Sequence, residues 1–264
     1  MQLDFDRRGN GPPLVLLHPL GADRRVWDPV IDRVASEREV IALDLPGFGS
    51  SPPLDGLEPP TPAALAAAIA GFLEDLGLPA PHVAGNSLGG WVALELALTG
   101  KARSVTAIAP AGLWPQPLMP KRGIARAVAG ATLGAMPALV RSPAGRRVVL
   151  GGLLVHPERV PPAAALALVR AYATAPGFRA VNDAMRSSRF TALERIGVPV
   201  TLAWAERDRL VAPPAHVPPG VHTRILSGCG HLAMWDDPKQ VARVLLGGSA
   251  SRGGARWSDT APVI

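Results

Sequence analysis

The chain has one cysteine, Cys229, in 264 residues, which excludes an intrachain disulfide and a cysteine-based metal cluster. It also lacks a membrane-length apolar run. Its most apolar long stretch, Gly123 to Val140, is interrupted by Arg126 and Pro137 and is rich in Ala and Gly, whereas a span needs about 20 predominantly apolar residues. The N-terminus, Met1-Gln2-Leu3-Asp4-Phe5-Asp6, has neither the basic start nor the apolar segment of a secretory signal, so a cytoplasmic location is expected. No internal repeat of solenoid period is present. His82, His156, His216 and His222 are scattered without metal-ligand spacing, so no metal is expected.

What is abundant is apolar and conformationally restricting. Hydrophobic residues make up 48%, enough for a sizeable core, and 29 prolines and 28 glycines punctuate the apolar runs. Charge is uneven. Residues 112–190 carry eleven basic side chains against Glu158 and Asp183, a local balance of +9 that leaves −3 for the rest of a chain whose net charge is +6. The bland reading is a solvated basic face; the sharper one is attraction of an anionic substrate or a membrane surface. No nucleic-acid-binding motif accompanies the charge, so nucleic acid is not an expected partner.

Apolar strand-like runs alternate with helical patterns, the signature of a mostly parallel sheet covered on both faces. Strands are expected at Leu14–Leu17, Val40–Leu43, Pro81–Ala84, Ser104–Ala109, Pro199–Trp204 and Thr223–Ile225. Helices are expected from Pro62 to about Leu76, capped by Thr61 and stopped by Gly77, at Trp91–Leu98, and at Pro238–Leu246. From Gly112 to about Arg189 no strand is convincing; helical pieces at Ile124–Leu133, Arg146–Leu154 and Pro162–Thr174 are separated by Pro and Gly. The expected organisation is a core of residues 1–111 and 190–246, a helical insertion at 112–189, and a flexible Gly/Ser-rich tail at 247–264.

Chemistry concentrates around Gly85-Asn86-Ser87-Leu88-Gly89, between a strand and a helix. A serine in such a tight turn presents its hydroxyl above the sheet, as a nucleophile elbow does. A serine nucleophile needs a base, and the base needs a carboxylate to orient it. Asp208, with Glu206 as its competitor, follows one strand; His231 follows the next. All would sit at carboxyl ends of strands, where open α/β sheets place their crevices. The N–H of Leu88 and one from the loop His18-Pro19-Leu20-Gly21 would stabilise an oxyanion. Pro19 has no N–H, which leaves Leu20. Trp27, Trp91 and Trp114, with Asn86 beside the serine, are candidate pocket residues, though each tryptophan fits a core role equally well.

Five segments in this order resemble the α/β-hydrolase superfamily over about residues 10 to 246: Leu16-Leu17-His18-Pro19-Leu20-Gly21, Asp44-Leu45-Pro46-Gly47-Phe48-Gly49-Ser50-Ser51, Gly85 to Gly90, Glu206-Arg207-Asp208, and Gly228-Cys229-Gly230-His231 with Asp237-Pro238. The resemblance is to serine-dependent members with a helical cap after the sixth strand. It implies an α/β fold with a mostly parallel eight-stranded sheet flanked by helices, Ser87, Asp208 and His231 as the catalytic set, and no cofactor. Family spacing favours Asp208 over Glu206. Pro19, where the family usually has glycine, and Ala205, where many relatives have glycine, are departures. The implied activity is cleavage of a carboxylic ester, thioester or lactone through an acyl-enzyme. The alternatives are a C–C bond hydrolase, a cofactor-free perhydrolase, a hydroxynitrile lyase or a non-catalytic ligand-binding protein of the fold. Haloalkane dehalogenases and epoxide hydrolases carry an aspartate at the elbow, where this chain has Ser87.

Overall fold

The computed structural model describes residues 1–56, 58–119 and 124–250. The core strands are β1 (Phe5–Arg8), β2 (Pro13–Leu17), β3 (Glu39–Leu43), β4 (His82–Asn86), β5 (Ser104–Ile108), β6 (Val200–Ala205) and β7 (His222–Leu226). They form one sheet in the order β1-β3-β2-β4-β5-β6-β7. Only the β1–β3 pair is antiparallel. The sheet therefore has seven strands among the described residues, not the expected eight. Charged side chains close its first edge: Arg7 pairs with Glu39 at 2.7 Å and Arg8 with Asp32 at 3.0 Å. Such an edge disfavours further strand addition.

Strand alternation builds two cores. Leu14, Leu16, Val40 and Ala42 point to one face, against α1 (Asp28–Ala35) and α10 (Pro238–Gly248). Val15, Leu17, Ile41 and Leu43 point to the other, against α2 (Pro62–Asp75) and α3 (Leu88–Leu98). Thr61 caps α2 by accepting the Ala64 N–H at 3.1 Å, with Pro62 opening the helix, as expected. Gly77, with φ of 73°, ends it.

The insertion between β5 and β6 contains α4 (Ile124–Ala131), α5 (Met136–Leu139), α6 (Pro143–Leu150), α7 (Pro162–Thr174) and α8 (Phe178–Arg186). It follows the fifth strand rather than the sixth, because one strand fewer precedes it. Helix α6 starts earlier than expected, since Ser142 accepts the Gly145 N–H at 2.9 Å and Pro143 fits the first helical position. Arg146 is buried within the insertion. Its guanidinium donates to the carbonyls of Val140 (2.7 Å), Arg141 (2.9 Å) and Glu158 (2.9 Å), tying three stretches of the cap together. The two ends of the insertion meet at one neck, where Phe190 N–H donates to the Gly112 carbonyl at 2.8 Å.

Helix α10 runs two residues past its expected end, and Ser249 behind it is buried, donating to the Leu245 carbonyl at 2.8 Å and accepting from Arg38 Nε at 3.0 Å. Residues 247–250 are thus packed rather than tail. Gly248 is required there, because a Cβ would collide with the Thr106 hydroxyl. The expected tail from 251 onward, and the basic pair Lys121 and Arg122, lie outside the described residues. Among the described residues no helix is long and apolar enough to cross a membrane.

At the amino end of the sheet, His82 Nδ1 donates to Ser104 Oγ at 2.7 Å, and that hydroxyl donates to the Gly248 carbonyl at 2.8 Å. Burial, reinforced by Arg103 and Arg38, pushes His82 down to about 4. Between pH 4 and its ordinary 6.5 the unfolded chain binds this proton and the folded one does not. Stability is therefore full above the upper value and falls as pH drops through the window. Thermal denaturation across pH 4 to 7 should show the midpoint falling on acidification. His82→Asn, which keeps a donor but cannot titrate, should flatten that slope.

Candidate active site

Strand β4 delivers Ser87 into a backbone conformation that side chains rarely adopt, with φ of 54° and ψ of −113°. Strain of this kind costs on the order of 1–3 kcal/mol and persists only where surroundings enforce it. Here they do. Ser87 N–H donates to the Ile108 carbonyl at 2.9 Å, and its own carbonyl accepts from Trp91 (3.1 Å) and Ala111 (2.9 Å). The neighbours must be glycine: a Cβ on Gly85 would collide with the Gly89 carbonyl, and one on Gly89 with the Leu17 carbonyl. Ala109, with φ of 42° at the end of the adjacent strand β5, is the other non-glycine in this region of φ among the described residues.

Asp208 and His231 lie after β6 and β7. Asp208 Oδ2 accepts from His231 Nδ1 at 2.7 Å, with side chains only 2% and 5% exposed. The other carboxylate oxygen accepts the N–H groups of Leu210 (2.7 Å) and Val211 (3.1 Å). Burial pushes this carboxyl up, but the hydrogen bond and charge of His231, with those two amides, outweigh it and hold Asp208 below its ordinary value. Because Nδ1 donates, Nε2 carries the free lone pair. Glu206 is engaged elsewhere, accepting the Gly228 N–H at 2.6 Å, so the geometry selects Asp208. The acid and base loops are also joined by Arg207 N–H to the Cys229 carbonyl at 2.9 Å.

Asn86 connects the base to the elbow. Its Nδ2 donates to the carbonyls of Ile108 (3.0 Å) and His231 (3.3 Å). Fully buried, it is a brace rather than the pocket residue it was expected to be. Among the described residues the Ser87 hydroxyl makes no hydrogen bond; such contacts commonly tighten only when substrate is bound.

The Leu20 loop lies beside the elbow because Leu17 pairs with Gly85 in the sheet register. Neither the Leu20 nor the Leu88 N–H has an intramolecular acceptor among the described residues. Buried His18 braces this loop: Nδ1 donates to the Pro19 carbonyl at 2.8 Å and Nε2 accepts the Leu45 N–H at 3.0 Å. Burial pushes its pKa down, which suits a neutral ring that accepts as well as donates. Asp44 organises the next turn, accepting N–H groups of Arg24 (2.8 Å) and Ser50 (2.8 Å).

The tryptophans divide differently from expectation. Trp27 is fully buried in the core beneath α1, so it lines no pocket. Trp91 is buried on the α3 face, donates to Glu95 at 2.9 Å and meets Trp114 edge-on with centroids 5.7 Å apart. Trp114 is half-buried and donates to the Ser188 carbonyl at 2.9 Å. Sequence reasoning overlooked Tyr172 and Phe178, whose rings stack edge-on at 5.2 Å and crowd Gly21, beside Leu20. No spacing signal in the chain links them to that loop.

A cavity of about 660 Å³, lined mainly by Pro46, Leu54, Pro176, Val181 and Ala184, lies at the seam between α8 and the loop after β3. None of Ser87, Asp208, His231, Leu20 and Leu88 lines it. Another, of about 430 Å³, lies at the amino ends of β6 and β7, remote from these side chains. Among the described residues no cluster of three His, Cys, Asp or Glu side chains is placed to hold a metal ion. Burial, reinforced by Asp236, Asp237 and Glu206, pushes the Cys229 thiol up to about 12. Iodoacetamide at pH 8 should therefore leave the folded protein unalkylated and modify Cys229 only after denaturation, as read by intact mass.

The family model for the alpha/beta hydrolase family matches residues 14–244. An epoxide hydrolase, EphH, of Mycobacterium tuberculosis is 32% identical over 197 residues, covering 69% of this chain and 92% of that one. The pimeloyl-[acyl-carrier protein] methyl ester esterase of Aeromonas hydrophila is 41% identical over 103 residues, 39% of each chain. The enol-lactonase structure from Burkholderia xenovorans superposes with a TM-score of 0.72 at 22% identity, covering 93% of this chain and 95% of that one, a likeness of fold. With its elbow serine, its buried Asp208–His231 pair and a family match spanning nearly the whole sheet, the chain belongs to the alpha/beta hydrolase family.

Proposed function

We propose that this protein hydrolyses a carboxylic ester, thioester or lactone through an acyl-enzyme. The observation that carries the reading is the 2.7 Å hydrogen bond from His231 Nδ1 to Asp208, in a chain with serine at the elbow. His231 Nε2 takes the Ser87 proton as the hydroxyl oxygen attacks the carbonyl carbon. Asp208 holds the ring in the tautomer that leaves Nε2 basic and stabilises the imidazolium that forms. The Leu20 and Leu88 N–H groups stabilise the oxyanion, each worth roughly a hundredfold to a thousandfold in turnover. The imidazolium then protonates the leaving group, and the regenerated base activates water to cleave the acyl-enzyme.

The relative named as an epoxide hydrolase raises a second substrate class. Chemistry weighs against it here. A serine oxygen opening an epoxide would form an ether, which has no carbonyl for water to attack, so the enzyme would not turn over. A carboxylate nucleophile would give a hydrolysable ester, but position 87 is serine. The name of the Aeromonas relative points instead to a methyl ester whose acyl group sits on an acyl-carrier protein. The basic cap fits a substrate bearing negative charge.

With p-nitrophenyl esters of graded chain length, wild type should release p-nitrophenol, Ser87→Ala should lose at least about a thousandfold, and Asp208→Asn about ten-thousandfold in kcat. A fluorophosphonate probe should label Ser87 and require His231. Equal rates for wild type and Ser87→Ala, or diol formation from styrene oxide that survives Ser87→Ala, would overturn the reading. Neutralising the exposed Arg141, Arg170 and Arg179 together should lower kcat/KM for a dicarboxylate monoester relative to p-nitrophenyl butyrate. An unchanged ratio removes the anionic preference.

A further inference from the structure

We propose that Asp236 is a positioning residue that clamps the loop carrying His231 to the cap, so that the seating of the cap sets the placement of the base. The inference rests on the reading of His231 as that base. Asp236 ends the short helix α9 (Ala233–Asp236). Its carboxylate accepts three backbone N–H groups from two distant parts of the chain. Gly230 donates to Oδ2 at 2.8 Å, His156 to Oδ1 at 2.9 Å, and Val155 to both oxygens at 3.1 Å. On the other side of His231, Leu232 N–H donates to the Leu153 carbonyl at 3.1 Å. The residues flanking His231 are thus both fastened to one cap segment, 153–156.

The fit is close. A Cβ on Gly230 would lie 2.8 Å from the Leu153 carbonyl oxygen and 3.1 Å from Leu154 Cα. Leu154 is buried in the same core as Cys229, Leu232 and Ala233. The segment is held from within the cap as well, since Arg146 donates to the Glu158 carbonyl just beyond it. Hydrogen bonds at Asp236, with the short stretches of chain between them, thus link the cap interior to the backbone on either side of His231.

Three N–H donors converging on one carboxylate need acceptor oxygens on both branches. Asparagine supplies one oxygen and turns an NH2 toward the remaining donors. Asp236→Asn should therefore release the His231 loop while leaving substrate contacts in place. Misplacing a reacting group by about an ångström costs up to about a hundredfold. For a p-nitrophenyl ester, kcat should fall about tenfold to a hundredfold on that scale with KM unchanged within about twofold. The rate of fluorophosphonate labelling should fall by the same factor. The downfield proton resonance of the His231–Asp208 hydrogen bond should broaden in the variant, while the ring protons of His18 and His82 stay unchanged. Asp236→Glu, which keeps both oxygens, should recover part of the rate; if the asparagine variant does not fold, the glutamate variant should still show a lowered kcat at constant KM.

Wild-type labelling with unchanged kcat and an unchanged His231 proton in Asp236→Asn would overturn the clamp. So would loss of kcat and KM together with loss of cooperative melting in both variants, which marks a purely structural role. Failure of wild type itself to label would instead remove the hydrolytic reading on which the clamp rests.

Discussion

No side-chain carbon fits at Gly85 or Gly89, and that lack of space governs the rest of the site. The carbonyls of Gly89 and Leu17 occupy those positions, so helix α3 starts almost on top of β4 and against the end of β2. This close approach forces the turn at Ser87 into its rare conformation. It also brings the start of the loop carrying Leu20 against the turn, at the Leu17 and His18 carbonyls. The local strain is sustained by backbone hydrogen bonds to β5 and its exit, made by Ser87 N–H and its carbonyl. Ser87, the Leu88 amide and the Leu20 loop thus form one closely packed group.

Asp208 and His231, joined by their hydrogen bond, form a second group on loops after β6 and β7. Asn86 spans the gap between the two, from the residue before the nucleophile to the backbone of His231. The cap reaches both. Tyr172 and Phe178 crowd Gly21 on the oxyanion side, and the segment 153–156 grips the His231 loop on the other. The insertion is therefore packed against both the Leu20 loop and the His231 loop, although all three are separate in the chain.

Much of this was legible from residues alone. The buried strands β2 and β3 announce themselves as short apolar runs, and α7 begins and ends where its proline and pattern place it. The elbow, Asp208 and His231 stand out because turn chemistry and chain order limit the choices. Strand β1 did not, because Phe5-Asp6-Arg7-Arg8 is an edge whose charges look like loop. Helix α8 was hidden by the Pro176-Gly177 pair before it and by a polar face that leaves only Val181, Ala184 and Met185 inward. Trp27 stayed open between core and pocket because composition cannot tell a core ring from a pocket ring, and the structure places it in the core. The cap-side partners of Asp236, Val155 and His156, lie some eighty positions away, through contacts that exist only once the cap is docked.

The cap leaves and rejoins the sheet through a neck, closed at its base by Phe190 N–H to the Gly112 carbonyl and above that by Trp114 to Ser188 and Leu118 N–H to Arg186. A loop pinched at its base can be rebuilt above the pinch without the strands below registering the change. Helices above the pinch can then differ while the strand order below stays as it is. The exception is the grip on the His231 loop: a replacement cap must carry backbone donors in register for one carboxylate, which narrows the exchangeable designs far more than the neck does.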